Sequence, residues 1–150
     1  MLDAVEQGLS EPMTSLAHPL SSYINRVYEV QADSGTRYIA KFYRPGRWSR
    51  AAILQEHDFV LECAAEDIPV VAPLVLADGE TLGETEAGVM FAVYPKGLGR
   101  ELEPLADEDW RRLGRVVGRM HAVGQRCPAE ERVVLHPLKS TASDVQQLLD

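Results

Sequence analysis

The sequence has little cysteine, no long apolar run and no surplus of positive charge, and each shortage excludes a class of protein. Two cysteines, Cys63 and Cys127, are too few for the disulfide framework of a small secreted domain. No apolar run reaches the about 18 residues of a membrane span, and residues 1–10 lack a signal-peptide core. A formal charge of −8 and a pI near 5.0 argue against nucleic acid and anionic membranes as partners. We therefore expect a cytoplasmic protein that binds neither.

Patterns typical of metal centres and hydrolases are also missing. The four histidines are His18, His57, His121 and His136. None has the spacing of a His/Cys metal cluster, and no Ser/His/Asp set indicates a hydrolase. Each histidine is therefore interpreted as a surface residue or a hydrogen-bonded core residue, while Cys63 and Trp110 are interpreted as core packing.

The sequence does contain an ordinary globular composition, with 45% apolar and 25% charged residues in 150, and a series of short elements. Residues 23–30 and 37–43 are rich in β-formers, and the turn signal Asp33-Ser34-Gly35 between them predicts a hairpin. Residues 49–65 predict a helix with Ser49 as its N-cap. The other predicted elements are a loosely helical segment at 1–15, an interrupted edge strand at 68–77, strands at 81–82 and 89–94, and helices at 107–125 and from 143 onward. This order predicts an α+β fold with an antiparallel sheet.

Glu56 lies in the middle of an apolar helix stripe. Its neighbours on that helix face are all apolar: Ala52, Ile53, Phe59, Val60 and Cys63. A carboxylate in such a stripe is costly to bury unless a cation meets it. The spacing therefore predicts an ion pair inside the core; alternatively, the helix is slightly rotated and leaves Glu56 at the rim.

Lys41 is the predicted cation. It lies in a strand pattern in which Ile39, Lys41 and Tyr43 share one face. Protein kinases use a strand lysine to hold the ATP phosphates and a helix glutamate to hold that lysine. The segment Tyr38-Ile-Ala-Lys41 loosely matches the V-A-I-K pattern, and Glu56 follows in the next helix. The two residues together therefore indicate a kinase-like phosphate site.

The segment before this lysine occupies the place of the Gly-rich loop of kinases, although it contains no glycine. Ser21, Ser22 and the backbone amides around Asn25 could still contact phosphate, because a turn that aims amides inward binds anions. The alternative is a plain polar hairpin tip. Val27 and Ile39 would form the apolar ceiling over an adenine.

The segment after residues 91–94 is a candidate hinge. An edge strand that runs into Pro95-Lys96-Gly97 would present unpaired backbone groups, and adenine can pair with such groups. The alternative is an ordinary interdomain linker.

Several segments have a family likeness when they are taken together. They are residues 22–28, 41–48, 53–59, 68–73, 91–95 and 113–121. As a set they resemble the stress response kinase A family, bacterial serine/threonine kinases built like aminoglycoside phosphotransferases and choline kinases. The resemblance spans roughly residues 16–126, and Lys-Phe-Tyr-Arg-Pro at residues 41–45 is its most specific part.

The resemblance implies a protein-kinase-like N-terminal lobe: a sheet of about five strands with one helix packed on it, and a following helix. It divides the chain into an extension at 1–15, the lobe at 16–97, and a hinge with the start of a second lobe at 98–150.

The resemblance also implies an ATP- and magnesium-dependent phosphotransferase that acts on protein serine or threonine. In this interpretation Lys41 holds the α- and β-phosphates, Glu56 orients Lys41, and residues 21–26 cover the phosphates. Val93 would border the adenine, with residues 94–96 (Tyr94, Pro95 and Lys96) as the hinge.

The His-Gly-Asp-type catalytic loop of the family and its later magnesium-binding aspartate are absent. The resemblance places both after Asp150, and the helical pattern from residue 143 reaches the last residue without a cap. We therefore expect a fragment of a longer protein, inactive alone and able to self-associate through its exposed lobe face. Two alternatives stay open: a small-molecule kinase acting on an amino alcohol or aminoglycoside, and a non-catalytic binding or regulatory module.

Overall fold

The computed structural model describes residues 1–97, Gly99 and 106–134. The elements in these ranges are α1 (Leu2–Leu9), β1 (Met13–Leu20), β2 (Arg26–Ala32), β3 (Arg37–Phe42), α2 (Arg50–Ala65), β4 (Gly83–Glu84), β5 (Met90–Pro95) and α3 (Asp107–Gly124). The strands form one antiparallel sheet in the order β1-β2-β3-β5-β4. The predicted α+β fold is therefore confirmed. No helix in this described part of the chain is long and apolar enough to cross a membrane.

The predicted hairpin forms the centre of the sheet. In the turn between β2 and β3, Gly35 has a φ of 87°, a left-handed conformation that glycine adopts without a Cβ penalty. The Gly35 N–H donates to Ala32 O at 2.9 Å and closes the turn. Val27 of β2 then lies opposite Lys41 of β3. Because directly paired residues share a face, Val27, Ile39 and Lys41 lie on the same side of the sheet.

The first 20 residues are more regular than the sequence predicts. In α1, Val5 is completely buried against the sheet, and β1 pairs with β2 along residues 17–20. Pro19 is tolerated there because β1 is an edge strand. The segment expected to be loosely helical at residues 1–15 is thus a regular helix at Leu2–Leu9, and its last residues belong to β1. A helix this short is stabilised by tertiary packing, which a local pattern does not show. The domain boundaries after residues 15 and 97 stay predictions.

The helix that carries Glu56 begins and ends close to the predicted positions. Ser49 accepts a hydrogen bond from the Ala52 N–H at 3.0 Å, so its predicted role as N-cap is confirmed. The helix ends before Asp67, whose φ of 54° is left-handed. Cys63 has no exposed surface, as expected for a packing residue.

Residues 68–77 do not form the predicted edge strand. Pro69 and Pro73 have no N–H to donate to a ladder, so the segment follows the sheet through isolated bonds such as Leu74 N–H to Val93 O, at 2.8 Å. The edge on that side is the two-residue strand β4. The sheet nevertheless has the expected five strands, because β1, which was not predicted, adds one at the opposite edge.

Each face of the sheet carries one helix. The core under α1 consists of Val5, Val30, Ala40, Phe42, Leu76, Phe91 and Val93. The core under α2 consists of Tyr43, Ile53, Leu82 and Ala92. Lys41 is paired opposite Ala92 and therefore belongs to the α2 face. The single predicted packing helix is α2, and the packing of α1 on the other face was not predicted.

The last described helix, α3, packs against the C-terminal half of α2. Its Val123 is buried there, with Val116 and Met120 beside it. Trp110, predicted to be a core residue, is instead 59% exposed, because these three residues turn a different face of α3 toward α2. The helix predicted from residue 143 lies outside the described residues.

Candidate functional site

Lys41 and Glu56 meet between β3 and α2, as their spacing predicts. Lys41 Nζ lies 3.4 Å from Glu56 Oε1, and the two side chains are 25% and 34% exposed. Glu56 therefore lies at the rim of the apolar stripe, because α2 turns His57 and not Glu56 into the core. An ammonium group has three donors, and one carboxylate oxygen occupies one of them. The partly exposed Lys41 can therefore still meet an anionic ligand.

Glu56 has a second cationic partner that the sequence did not indicate. Arg132, in the segment after α3, places Nη1 3.0 Å from Glu56 Oε2 and 3.3 Å from Ala52 O. Its guanidinium also stacks on the Trp48 ring, 4.6 Å from the ring centroid. Arg132 follows Glu56 by 76 positions, far outside any helix or strand spacing, so no local pattern could have found it.

A chain of buried hydrogen bonds lies next to the ion pair. His57 is 1% exposed; its Nδ1 lies 2.8 Å from Thr81 Oγ1 and its Nε2 lies 3.1 Å from Tyr43 Oη. Tyr43 Oη is in turn 3.3 Å from Tyr94 Oη. Burial lowers the pKa of His57 and raises the pKa values of Tyr43 and Tyr94, so the layer is neutral at pH 7. Lys41 Nζ lies 4.6 Å from the centroid of the Tyr43 ring, so this neutral layer supports the lysine.

The sheet face around Lys41 is apolar and only half-buried. Val27 and Ile39 lie on it, and neither belongs to a core cluster of the described residues. Tyr94 is paired opposite Ile39 and shares this face. Val93, predicted to border an adenine, is fully buried in the core under α1. Side chains alternate along a strand, so Tyr94 and not Val93 can reach a ligand beside Lys41.

The loop between β1 and β2 lies at the Lys41 end of the sheet, since it leads within two residues into Val27. Ser21 and Ser22 are exposed in this loop. Asn25 Oδ1 accepts a hydrogen bond from the Arg44 N–H at 3.3 Å, which fastens the loop to the chain that follows β3. The three predicted phosphate-contacting residues thus lie in the loop that leads into the β2 residue paired with Lys41, and their role in binding stays a prediction.

The predicted hinge residues have fewer free backbone groups than expected. β4 covers β5 only at Met90 and Phe91, while β5 pairs with β3 up to Pro95, opposite Tyr38. Pro95 has no N–H, and the Lys96 N–H donates to Arg37 O at 3.2 Å. Lys96 Nζ bonds Glu29 Oε2 at 2.6 Å, and this bond lowers the pKa of the Glu29 carboxyl. These two residues therefore offer no free N–H to an adenine.

The site has donors for an anion but no set of ligands for a metal. Among residues 1–97, Gly99 and 106–134, no group of three His, Cys, Asp or Glu residues is arranged to hold an ion. The described residues therefore do not fit a magnesium site by themselves. The ammonium of Lys41, the loop amides and the apolar face with Val27 and Ile39 suit a ligand that carries both phosphate and an apolar ring.

An antiparallel sheet whose inner-strand lysine is met by a glutamate from the adjacent helix defines the N-terminal lobe of a kinase-like fold. The model of the phosphotransferase enzyme family (APH) matches residues 17–149, and the chain belongs to that family.

Two curated relatives confirm the resemblance to stress response kinase A. The protein of that name from Escherichia coli O157:H7 is 40% identical over 127 residues, which is 84% of this chain and 38% of the relative. The serine/threonine protein kinase RdoA of Salmonella typhimurium is 40% identical over 129 residues, with 85% and 38% covered. The chain thus spans 38% of the length of these relatives.

Solved structures confirm the kinase-like fold. The amicoumacin kinase hAmiN, in complex with AMP-PNP, Ca²⁺ and Ami, superposes with a TM-score of 0.70 at 26% identity, over 86% of this chain and 40% of the other. The microcompartment-associated aminopropanol kinase superposes with a TM-score of 0.67 at 20% identity, over 88% and 42%. The second likeness, at that identity, concerns the fold alone.

Proposed function

We propose that this chain is the nucleotide-binding lobe of an ATP-dependent phosphotransferase. The observation that carries the proposal is the ion pair of Lys41 and Glu56, at 3.4 Å on an open face of the sheet. Enzymes that transfer phosphoryl groups work mainly by positioning the phosphates and stabilising their charge. Lys41, held by Glu56 and by the Tyr43 ring, supplies a positive charge of defined position for the α- and β-phosphates.

The surrounding residues take the other parts of the nucleotide. The hydroxyls of Ser21 and Ser22 and the amides near Asn25 cover the phosphates, from the loop that joins β1 and β2. The adenine lies against Val27 and Ile39, and its edge faces the Tyr94 side of the sheet. A magnesium ion, when bound, would neutralise charge on the phosphates.

The names of the relatives support two candidate substrate classes. We propose a serine or threonine hydroxyl of a protein, in line with the name of the serine/threonine protein kinase RdoA, which is 40% identical. The second candidate is a small molecule, favoured by the likeness to the amicoumacin kinase at 26% identity. The full natural protein, given ATP with either a serine-containing protein or an amino alcohol, distinguishes the two by which one receives the phosphate.

The nucleotide proposal is tested by titrating the chain with AMP-PNP in a calorimeter. Lys41→Met keeps the apolar stem of the side chain and removes the charge, so we expect affinity to fall about tenfold or more. Arg126→Met removes a cation that pairs with Glu66, away from the site, and is the matched control. Equal affinities for wild type and K41M, or no binding by wild type, would overturn the proposal in favour of a non-nucleotide binding module.

A further inference from the structure

We propose that Arg132 is a positioning residue for the ion pair, so that the segment after α3 determines how firmly Lys41 is held. The functional consequence of this inference rests on the proposed nucleotide site. The positioning of Glu56 by Arg132 does not depend on a nucleotide, because all the contacts that support it are made within the protein.

The two oxygens of Glu56 serve different cations. Oε1 faces Lys41 Nζ at 3.4 Å, and Oε2 faces Arg132 Nη1 at 3.0 Å. The terminal torsion of a glutamate is broad and easily turned when its carboxylate has one partner. A carboxylate held at both oxygens cannot turn without losing one of the bonds. The shorter bond, to Arg132, therefore keeps Oε1 directed at Lys41.

Arg132 is itself held in place by two further contacts. Its guanidinium donates to Ala52 O at 3.3 Å and stacks on the Trp48 ring at 4.6 Å. A guanidinium is planar and weakly hydrated, so it can stack on an indole while it donates in its own plane. An ammonium in the same place would restore the charge beside Glu56 but not this geometry.

The segment that carries Arg132 is docked on α2 by a side chain next to Glu56. The Gln55 side-chain amide donates to Pro128 O at 3.1 Å and accepts from the Glu131 N–H at 3.0 Å. The segment and the middle of α2 are therefore fastened at adjacent positions, Gln55 and Glu56. If the segment undocks, Glu56 loses one of its two cations and Lys41 loses its fixed partner.

A competing arrangement would have Arg132 draw Glu56 away from Lys41. The geometry opposes this, since the two cations do not share an oxygen. The two arrangements predict opposite effects when the guanidinium is removed: a looser lysine if Arg132 positions Glu56, and a more firmly held lysine if it competes.

The experiment measures how fast acetic anhydride modifies Lys41, by mass spectrometry and without nucleotide. Lys96, which bonds Glu29, is the reference within the same molecule. We expect Arg132→Gln to raise the rate at Lys41 about threefold relative to Lys96, as is usual for the loss of one partly exposed ion pair. If Arg132 only stabilised the fold, its replacement would raise the acetylation rates of Lys41 and Lys96 together. Arg126→Gln, which removes the partner of Glu66, should leave the ratio of the Lys41 rate to the Lys96 rate unchanged.

Two further readouts make the result decisive. In a Trp110→Phe background, Trp48 is the remaining tryptophan, and R132Q should increase its quenching by acrylamide. Affinity for AMP-PNP should fall about fivefold in R132Q and be partly restored in Arg132→Lys, which returns the charge. An unchanged or slower Lys41 rate in R132Q would overturn the inference. If wild type fails to bind AMP-PNP, the proposed function fails, while the acetylation ratio still decides the role of Arg132.

Discussion

Tyr43 and His57 share a buried hydrogen bond, 3.1 Å between Tyr43 Oη and His57 Nε2, beside the ion pair of Lys41 and Glu56. Burial lowers the pKa of His57, and the nearby ammonium of Lys41 acts in the same direction while Glu56 opposes it. A neutral imidazole with a partner at each nitrogen fixes the Tyr43 ring against which Lys41 lies. The charged pair thus rests on a polar layer that is sensitive to pH.

Acid should destabilise the fold through His57. Its pKa is lowered in the folded state, so as the pH falls below about 6.5 the unfolded chain takes up the histidine proton first. The neutral histidine therefore makes its full contribution to the free energy of unfolding above this pH. That contribution is lost as the pH falls toward the lowered pKa of His57 in the folded state. Between pH 7 and 5.5 we therefore expect the free energy of unfolding to fall.

His57→Gln isolates this effect, because glutamine can hydrogen-bond but does not titrate. Urea unfolding at each pH should show that the difference in unfolding free energy between wild type and H57Q narrows as the solution is acidified. His18→Gln, which replaces an exposed histidine, is the control. A gap of constant size across this pH range would contradict the expectation.

Ile39 and Val93 lie on opposite faces of the sheet, so truncating them should have separable effects. Val93→Ala opens a cavity in the core under α1 and should cost about 2 kcal/mol of stability, with AMP-PNP affinity unchanged in the folded fraction. Ile39→Ala removes half-buried surface on the Lys41 face and should cost less stability but weaken AMP-PNP binding about threefold. Calorimetric titration and urea unfolding of both variants check this. Weaker AMP-PNP binding in V93A than in I39A would indicate that the adenine lies on the α1 face, and would contradict its proposed place on the Lys41 face.

Local patterns were sufficient where chain neighbours determine the structure. The cap at Ser49 depends on Ala52, three residues away, and the hairpin that carries Lys41 depends on the turn at Gly35. The pairing of Lys41 with Glu56 could also be predicted, because a strand face and a helix stripe each have a regular period. The rotation of α2 that leaves Glu56 at the rim was one of two alternatives that the sequence left open, and the packing of whole elements, with His57 in the core, decides between them.

Features set by distant contacts could not be found in this way. Val93 was assigned to the site by an error of one residue, which moves a side chain to the other face of a strand. The segment after β5 was expected to present unpaired backbone groups, whereas the Lys96 N–H donates to Arg37 O, a residue distant in the sequence. Arg132 reaches Glu56 because α3 packs on α2 and Gln55 fastens the segment that follows α3.

The capping bond of Ser49 should be measurable as stability of α2. Ser49→Ala removes the acceptor for the Ala52 N–H and should lower the free energy of unfolding by about 1 kcal/mol. Ser49→Asp supplies another good capping acceptor and should restore most of this loss. Denaturant unfolding of the three proteins at one pH checks the prediction, and equal losses in S49A and S49D would contradict it.

Two glycines should respond oppositely to the same substitution. A Cβ at Gly83 would lie 2.5 Å from the Phe91 ring, inside the core under α1, so Gly83→Ala forces the ring or β4 to shift. We expect a loss of about 2 kcal/mol, as for other overpacked cores. A Cβ at Gly114 of α3 would meet no atom within 4 Å, so Gly114→Ala should stabilise the helix by about 0.5–1 kcal/mol. Thermal unfolding of both variants measures the two shifts. A stable G83A would mean that β4 is not held against Phe91, and the two-residue edge of the sheet would then not be a fixed part of the fold.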